Sequence, residues 1–299
     1  MHAARVRDKP LMSPLSPTNN FNTPAEICDL TTQAAVRKAN MPLLKMLILG
    51  IWAGVFIALG GVVATVAMHD ISNVGLSRLV GGCVFPVCLI MVIMLGSELF
   101  TGNCLMVSAL CERKIGFGGW MKNLAVVYVG NFIGSLIIAG LMVASTLWNY
   151  TDGGLGAFAI KMAITKTSLP FGTALASGIL CNILVCAAVL LATGARDAIG
   201  KIIGAWFPVM AFAVSGFEHS IANMYYIFSG VFAAGNPKFV DKAAELYGVG
   251  ADGLAHLGAT GILSNLVPVT LGNIIGGVAL GLCLWLAFKS RFFNKPVQA

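Results

Sequence analysis

Glu218 and His219 stand side by side in "SGFEHSIANMYY", residues 215–226, deep within an apolar run. An acid beside an imidazole suggests proton chemistry, because an unperturbed histidine titrates near pH 6.5 and changes charge in the physiological range. Ionisable groups at membrane depth cost from about 3 kcal/mol on insertion scales to more than about 10 in simulation, which makes them functional candidates by default. For Glu218 the structural alternative is an acceptor for the free backbone N–H groups of an interrupted helix. For His219 it is an ordinary hydrogen-bonded ring. If His219 lines a path, its protonated form attracts an anion and its neutral form lets the passing species behave as a weak acid. A second interruption, "LGSELFTGNCL" at 95–105, carries Glu98 and Thr101. Glu98 is placed to cap the half-helix that follows it. The Thr101 hydroxyl is suited to hold the imidazole or to meet an anion.

The elements that must position these groups are membrane helices. Of 299 residues, 58% are hydrophobic and only 10% charged, outside the range of soluble domains. Six apolar runs, near 43–67, 79–110, 123–147, 171–193, 200–233 and 261–288, are long enough to span a bilayer. "VGNFIGSLIIAGLM" at 129–142 and "LGNIIGGVALGLCL" at 271–284 share G-N-x-I-G, so the chain reads as two three-helix repeats, 43–147 and 171–288. Three spans per half make the repeat inverted, with a site near mid-membrane between broken second and fifth helices. The fold class is therefore an all-α membrane protein of six transmembrane helices in a 3+3 inverted repeat.

Residues 1–42 read as an N-terminal segment with a surface helix that starts at Pro24 behind the N-cap Thr23, and 289–299 as a C-terminal tail flanking the 43–288 channel domain. The polar, Pro-rich opening has no apolar core leading to a cleavage site, which argues against a cleaved signal peptide. Fourteen of the 19 Lys and Arg fall on the N-terminal side of the predicted membrane, predicting cytoplasmic N- and C-termini. The net charge of +7 is then an orientation signal that calls for no nucleic acid. The eight cysteines show no metal-ligand spacing and read as small buried hydrophobes.

"GFEHSIANM", "LFTGN", "GILCNILVC" and "PVTLGNIIGG" together resemble the formate/nitrite transporter family, and the likeness runs from "FNTPAEI" at 21 to about 288. The resemblance implies a homopentamer with an aquaporin-like pore in each protomer of the plasma membrane. It matches the family's pore histidine to His219, its loop hydroxyl to Thr101, its vestibule lysine to Lys166 and a polar partner to Asn182. Lys166 would draw anions to the outer mouth, where a snorkelling lysine is the alternative. Glu218 and Asn182 would orient or tune His219, with Asn273 packed nearby. Two hydrophobic constrictions are implied, Leu89 with Phe212 on the inner side and Phe100 with Val185 on the outer side. Such gates disfavour hydrated ions, so a small anion must shed water or gain a proton to pass.

The implied cargo is a small weak-acid anion, formate first and nitrite second, with hydrosulfide, acetate and lactate behind. Ammonium conduction lacks paired histidines, and a water channel lacks an NPA pair. A haem or quinone enzyme would need two axial ligands or an acid/base cluster, whereas His219 is the only deep histidine. No enzyme activity and no cofactor are expected; the N-terminal segment is a candidate gate for the inner mouth.

Overall fold

The structure, a computed structural model, describes residues 20–290. The Pro-rich opening, His2 and all but the first two residues of the expected C-terminal tail lie outside the described residues.

Helix α1 (Pro24–Ala39) precedes the first span, α2 (Leu43–Met68). The second span runs through α3 (Val74–Val84) and α4 (Val87–Leu95), breaks, and resumes as the short α5 (Phe100–Asn103) and α6 (Val107–Cys111). The third span is α7 (Phe117–Ala144); α8 (Gly154–Thr167) follows, and α9 (Phe171–Gly194) is the fourth. The fifth span comprises α10 (Ala198–Ser215) and, beyond a break, α11 (Ser220–Ala233). Helices α12 (Pro237–Tyr247) and α13 (Ala251–Ala255) occupy the connection to the sixth span, α14 (Ala259–Phe288). Among the described residues, the one isolated β-bridge joins Phe21 to Ala195.

Six helices are therefore long and apolar enough to cross a membrane, as the sequence predicts. Their outward faces carry large apolar side chains such as Leu44, Trp52 and Ile199, suited to lipid. Three boundaries move. The third span begins at Phe117, six residues early, because Asn123 is paired inside the bundle rather than marking a surface. It ends at Ala144 because Thr146 turns left-handed, with φ 57°. The second span starts at Val74, behind an Asn73 side chain that accepts the Leu76 N–H.

α1 starts at the predicted residue. Thr23 caps it, Glu26 completes the reciprocal capping box, and Pro24 occupies the first turn. Its apolar side is docked on the bundle, burying Cys28, Thr32 and Ala35.

The two halves are held by the same device. In the first, α2 and α7 approach so closely that a side chain on Gly54 would strike the Asn131 backbone and one on Gly134 would strike the Ile51 carbonyl. In the second, α9 and α14 do the same, with Gly272 and Gly276 against the carbonyls of Leu175 and Ile179. Small residues permit this backbone contact where lipid supplies no hydrophobic drive between helices.

Candidate functional site

Both broken spans interrupt in the same conformation. Gly96 and Gly216 end α4 and α10 in the left-handed region, at φ 73° and 75°, where glycine carries no Cβ penalty. Each is followed three residues later by an extended residue that opens the next helix, Leu99 at φ −109°, ψ 123° and His219 at φ −109°, ψ 116°. The inverted repeat thus sets Leu99 and His219 in equivalent places.

The freed backbone groups are satisfied by two asparagines. Asn131 accepts the Phe100 N–H at 3.0 Å and donates to the carbonyls of Gly50 and Glu98 at 2.7 and 2.9 Å. Asn273 accepts the Ser220 N–H at 2.8 Å and donates to Gly178 and Glu218 carbonyls at 2.8 and 3.0 Å. All three bonds of one asparagine have a counterpart at the other. The predicted cap of the half-helix by Glu98 is therefore corrected, as is the use of the Glu218 side chain as an acceptor for backbone N–H groups. Full burial requires these backbone groups to be paired, and an amide serves both donors and acceptors where a carboxylate only accepts.

The two carboxylates belong instead to matching polar networks. Glu218 accepts from Lys166 Nζ at 3.0 Å, from Asn223 at 2.6 Å and from Asn265 at 3.3 Å. Glu98 accepts from Lys38 Nζ and from Asn103, each at 2.8 Å. Asn103 in turn donates to Asn123, as Asn223 donates to Asn265. Asn123 and Asn265 close each circuit on the backbone carbonyls of Lys38 and Lys166. Lys166 is on α8 and buried, so it does not snorkel; its ammonium also stands 5.3 Å from the Tyr226 ring centroid.

Between the networks lies the histidine. Thr101 Oγ1 is 3.0 Å from His219 Nε2, and His219 Nδ1 accepts the Ala222 N–H at 3.1 Å. A ring nitrogen that accepts carries no proton, so the neutral imidazole holds its proton on Nε2 and donates to Thr101. Among the described residues, the ring's hydrogen bonds go to Thr101 and Ala222, so neither Glu218 nor Asn182 orients it by a direct bond. Glu218 is engaged by Lys166 and two amides. Asn182 donates to the Thr101 carbonyl at 3.2 Å and to that of Asn273, so it secures the short helix α5 that bears the hydroxyl. Cys186 Sγ, at 3.5 Å, points at the same Thr101 carbonyl.

Two vestibules converge on this centre. One, of about 750 Å³, is lined by Arg37, Lys38, Lys45, Glu98, Leu89 and Leu99. It lies on the face where α1 and the end of α14 meet through the Asp29–Lys289 ion pair. The other, of about 180 Å³, is lined by Arg78, Phe85, Lys166, Phe212, Glu218 and His219. Between them Phe85, Leu89, Leu99, Val185, Phe212 and His219 enclose about 10 Å³, close to the room one water needs.

Leu89 and Phe212 both border the central cavity; Leu89 also lines the first vestibule beside Leu99, and Phe212 the second beside Phe85, edge-on at 5.8 Å. Phe212 also stacks on the His219 ring, with centroids 5.9 Å apart. Val185 lines the central cavity between the two pairs. Phe100 lines none of these spaces, because its ring turns away to pack edge-on against Tyr128 at 4.9 Å. The sequence reading missed Phe85 and Leu99. Leu99 was recoverable from its distance to Gly96, which equals that from Gly216 to His219; Phe85 has no such counterpart.

The family model described as Formate/nitrite transporter matches residues 25–287. An uncharacterized transporter of Bacillus subtilis is 37% identical over 278 residues, covering 91% of this chain and 95% of its own. A probable formate transporter of Methanothermobacter thermautotrophicus is 35% identical over 285 residues, covering 89% and 97%. Among solved structures, a pentameric formate channel with formate bound superposes with a TM-score of 0.73 at 33% identity, covering 83% of this chain and 98% of that one. These relatives are transporters and channels rather than enzymes.

Proposed function

Because the chain belongs to the formate/nitrite transporter family, we propose that each protomer conducts formate across the membrane through the Thr101–His219 centre. The observation that carries this reading is that His219, held 3.0 Å from Thr101 Oγ1, borders a small apolar cavity between two cation-lined vestibules.

An anion that enters a vestibule meets apolar side chains on both sides of the centre, Phe85 with Phe212 and Leu89 with Leu99. Burying an isolated carboxylate among them is far more costly than burying the neutral acid. His219 offers its Nε2–H to the anion in place of Thr101. For proton transfer, Nδ1 first takes a proton and releases the Ala222 N–H. The Nε2 proton then passes to a carboxylate oxygen, leaving a neutral ring and a neutral acid able to cross the apolar pair. Uptake of a second proton from water at Nε2 and loss of the Nδ1 proton to water restore the bonds to Thr101 and Ala222. Flux is accordingly pH-dependent, and proton-coupled when the acid gives up its proton on the far side.

Formate leads because the formate transporter and the formate-bound channel are similar over nearly the whole chain. Nitrite is the second reading, supported by the family description. The pentameric neighbour supports a homopentamer. We place the protein in the plasma membrane with the Lys38 vestibule and both termini in the cytoplasm, on the strength of the Lys and Arg asymmetry. Residues 43–288 form the channel domain, and the N-terminal segment gates its inner mouth through Lys38, which reaches Glu98 and Asn103 at the break.

The test is formate flux into proteoliposomes between about pH 5 and 8, the range in which histidine titrates, with empty liposomes as leak control and nitrite, hydrosulfide and lactate as competitors. Saturable, pH-dependent flux above leak is expected, with formate the strongest ligand. Absence of flux for all of these anions, from folded and oligomeric protein, would leave the fold without this cargo.

A further inference from the structure

The vestibule opposite the termini holds two cations, and they are not equivalent. Lys166 is buried and bound to Glu218 at 3.0 Å, so an approaching anion meets a closely compensated pair. Arg78, on α3, is exposed and lines the same space, yet forms no ion pair among the described residues. Its guanidinium lies over Gly216, the left-handed glycine that ends α10. A Cβ there would come within 3.4 Å of Arg78 Nη1. The free positive charge therefore sits at the mouth, two residues before Glu218 and three before His219 on the strand it covers.

We propose that Arg78 is the anion-capturing residue of this vestibule, a specificity determinant that rests on the conduction reading and deepens it. The formal charge of the mouth is +1 when Arg78, Lys166 and Glu218 are counted together, and Arg78 is its uncompensated member. The planar guanidinium matches a carboxylate by paired donors. It is exposed and unpaired among the described residues, so it can pass the anion on toward Phe85, Phe212 and His219, which line the same vestibule. The opposite vestibule repeats the arrangement. Lys38 is paired with Glu98 there, while Arg37 and Lys45 line the space with no ion pair among the described residues.

The test compares wild type, R78Q, R78K and K161Q for formate flux in proteoliposomes of the full chain, each first shown to be an intact oligomer. Lys161 is the control, because it lies over the Tyr247 and Phe158 rings and does not line this vestibule. For R78Q the half-saturating formate concentration should rise about threefold at low ionic strength, the effect of one unit charge several ångströms away in a high dielectric. That difference should shrink as salt shortens the screening length. Maximal flux and its pH profile should stay as in wild type, R78K should restore most of the affinity, and K161Q should change nothing. Equal half-saturation in R78Q and K161Q would overturn the assignment. Should R78Q fail to assemble, wild type alone decides: half-saturation that rises with salt supports a free capturing cation, and a salt-independent value refutes it. Wild type that conducts no formate or nitrite at all would instead remove the conduction reading beneath it.

Discussion

Asn131 and Asn273 are the same residue used twice, each donating its amide to two backbone carbonyls and accepting one backbone N–H across a broken helix. The breaks are thus stable features, because the Phe100 and Ser220 N–H groups and the Glu98 and Glu218 carbonyls that they expose are paired. Asn273→Ala would strand the Ser220 N–H and the Glu218 carbonyl at the break. Each buried polar group left unpaired costs about 1–3 kcal/mol. Both Asn273→Ala and Asn131→Ala should therefore lower the thermal midpoint of the detergent-solubilised oligomer by similar amounts. A loss confined to one of them would show that the repeats do not share this role.

Glu218→Gln and Glu98→Gln should differ, although their networks match. The Lys166 and Glu218 side chains are 11% and 7% exposed, whereas Lys38 and Glu98 are 27% and 5% exposed. Removing the carboxylate at 218 strands a buried ammonium, for which breaking a buried pair costs about 3–5 kcal/mol. Lys38 is more open to water when its partner is lost. Thermal stability should fall further in Glu218→Gln, and an equal or reversed order would mean that exposure does not govern these pairs.

Much of this arrangement was legible in the sequence. G-N-x-I-G at 130–134 and 272–276 exposed the repeat, and the interruptions around Glu98 and Glu218 marked the breaks. Thr101 and His219 do meet. Less accessible was which atom serves which partner. Asparagines in apolar helices read as isolated polar residues, and only three-dimensional contact distinguishes Asn131 on a backbone break from Asn123 in a side-chain circuit. The equal spacing of Glu98 to Asn103 and Glu218 to Asn223 was the overlooked signal. Apolar gates were harder still. Phe100 and Leu99 are neighbours of similar character, and one residue of backbone direction decides that Leu99 lines the vestibule while Phe100 packs on Tyr128.

His219→Phe should change the pH dependence and selectivity of flux more than the amount of protein. The substitution removes the Nε2 bond to Thr101 and the Nδ1 bond to Ala222, but leaves Asn273 holding the break and Phe212 available for ring packing. Curves of flux against pH that coincide for variant and wild type would eliminate the proton-switch role.

The pH response can be separated from that of α1. The Thr23 backbone N–H and hydroxyl hold the Glu26 carboxyl below its ordinary value of 4.5. A depressed folded pKa gives a contribution that is fully present above the unfolded value and disappears as pH falls through the folded one. Glu26→Gln should therefore loosen α1 docking at neutral pH, seen as faster proteolysis near the N-terminus. It should leave the shape of the flux profile between about pH 5 and 8 intact, because that range belongs to imidazole. A displaced midpoint in Glu26→Gln would tie the flux profile to α1.

Leu99→Ala and Phe100→Ala separate lining the path from supporting it. Leu99 borders the Lys38 vestibule and the central cavity, so truncation should widen the apolar passage and raise anion flux or weaken selectivity for formate over lactate. Phe100 is 3% exposed and packs on Tyr128, whose hydroxyl meets Thr270 at 3.0 Å. Its truncation leaves a cavity away from the path, at a typical cost of about 3–5 kcal/mol. Phe100→Ala should lower the thermal midpoint while the remaining folded oligomer keeps wild-type selectivity. Competition by lactate, measured per folded oligomer, checks both. Broadened selectivity in Phe100→Ala with none in Leu99→Ala would return Phe100 to the constriction and displace Leu99 from it.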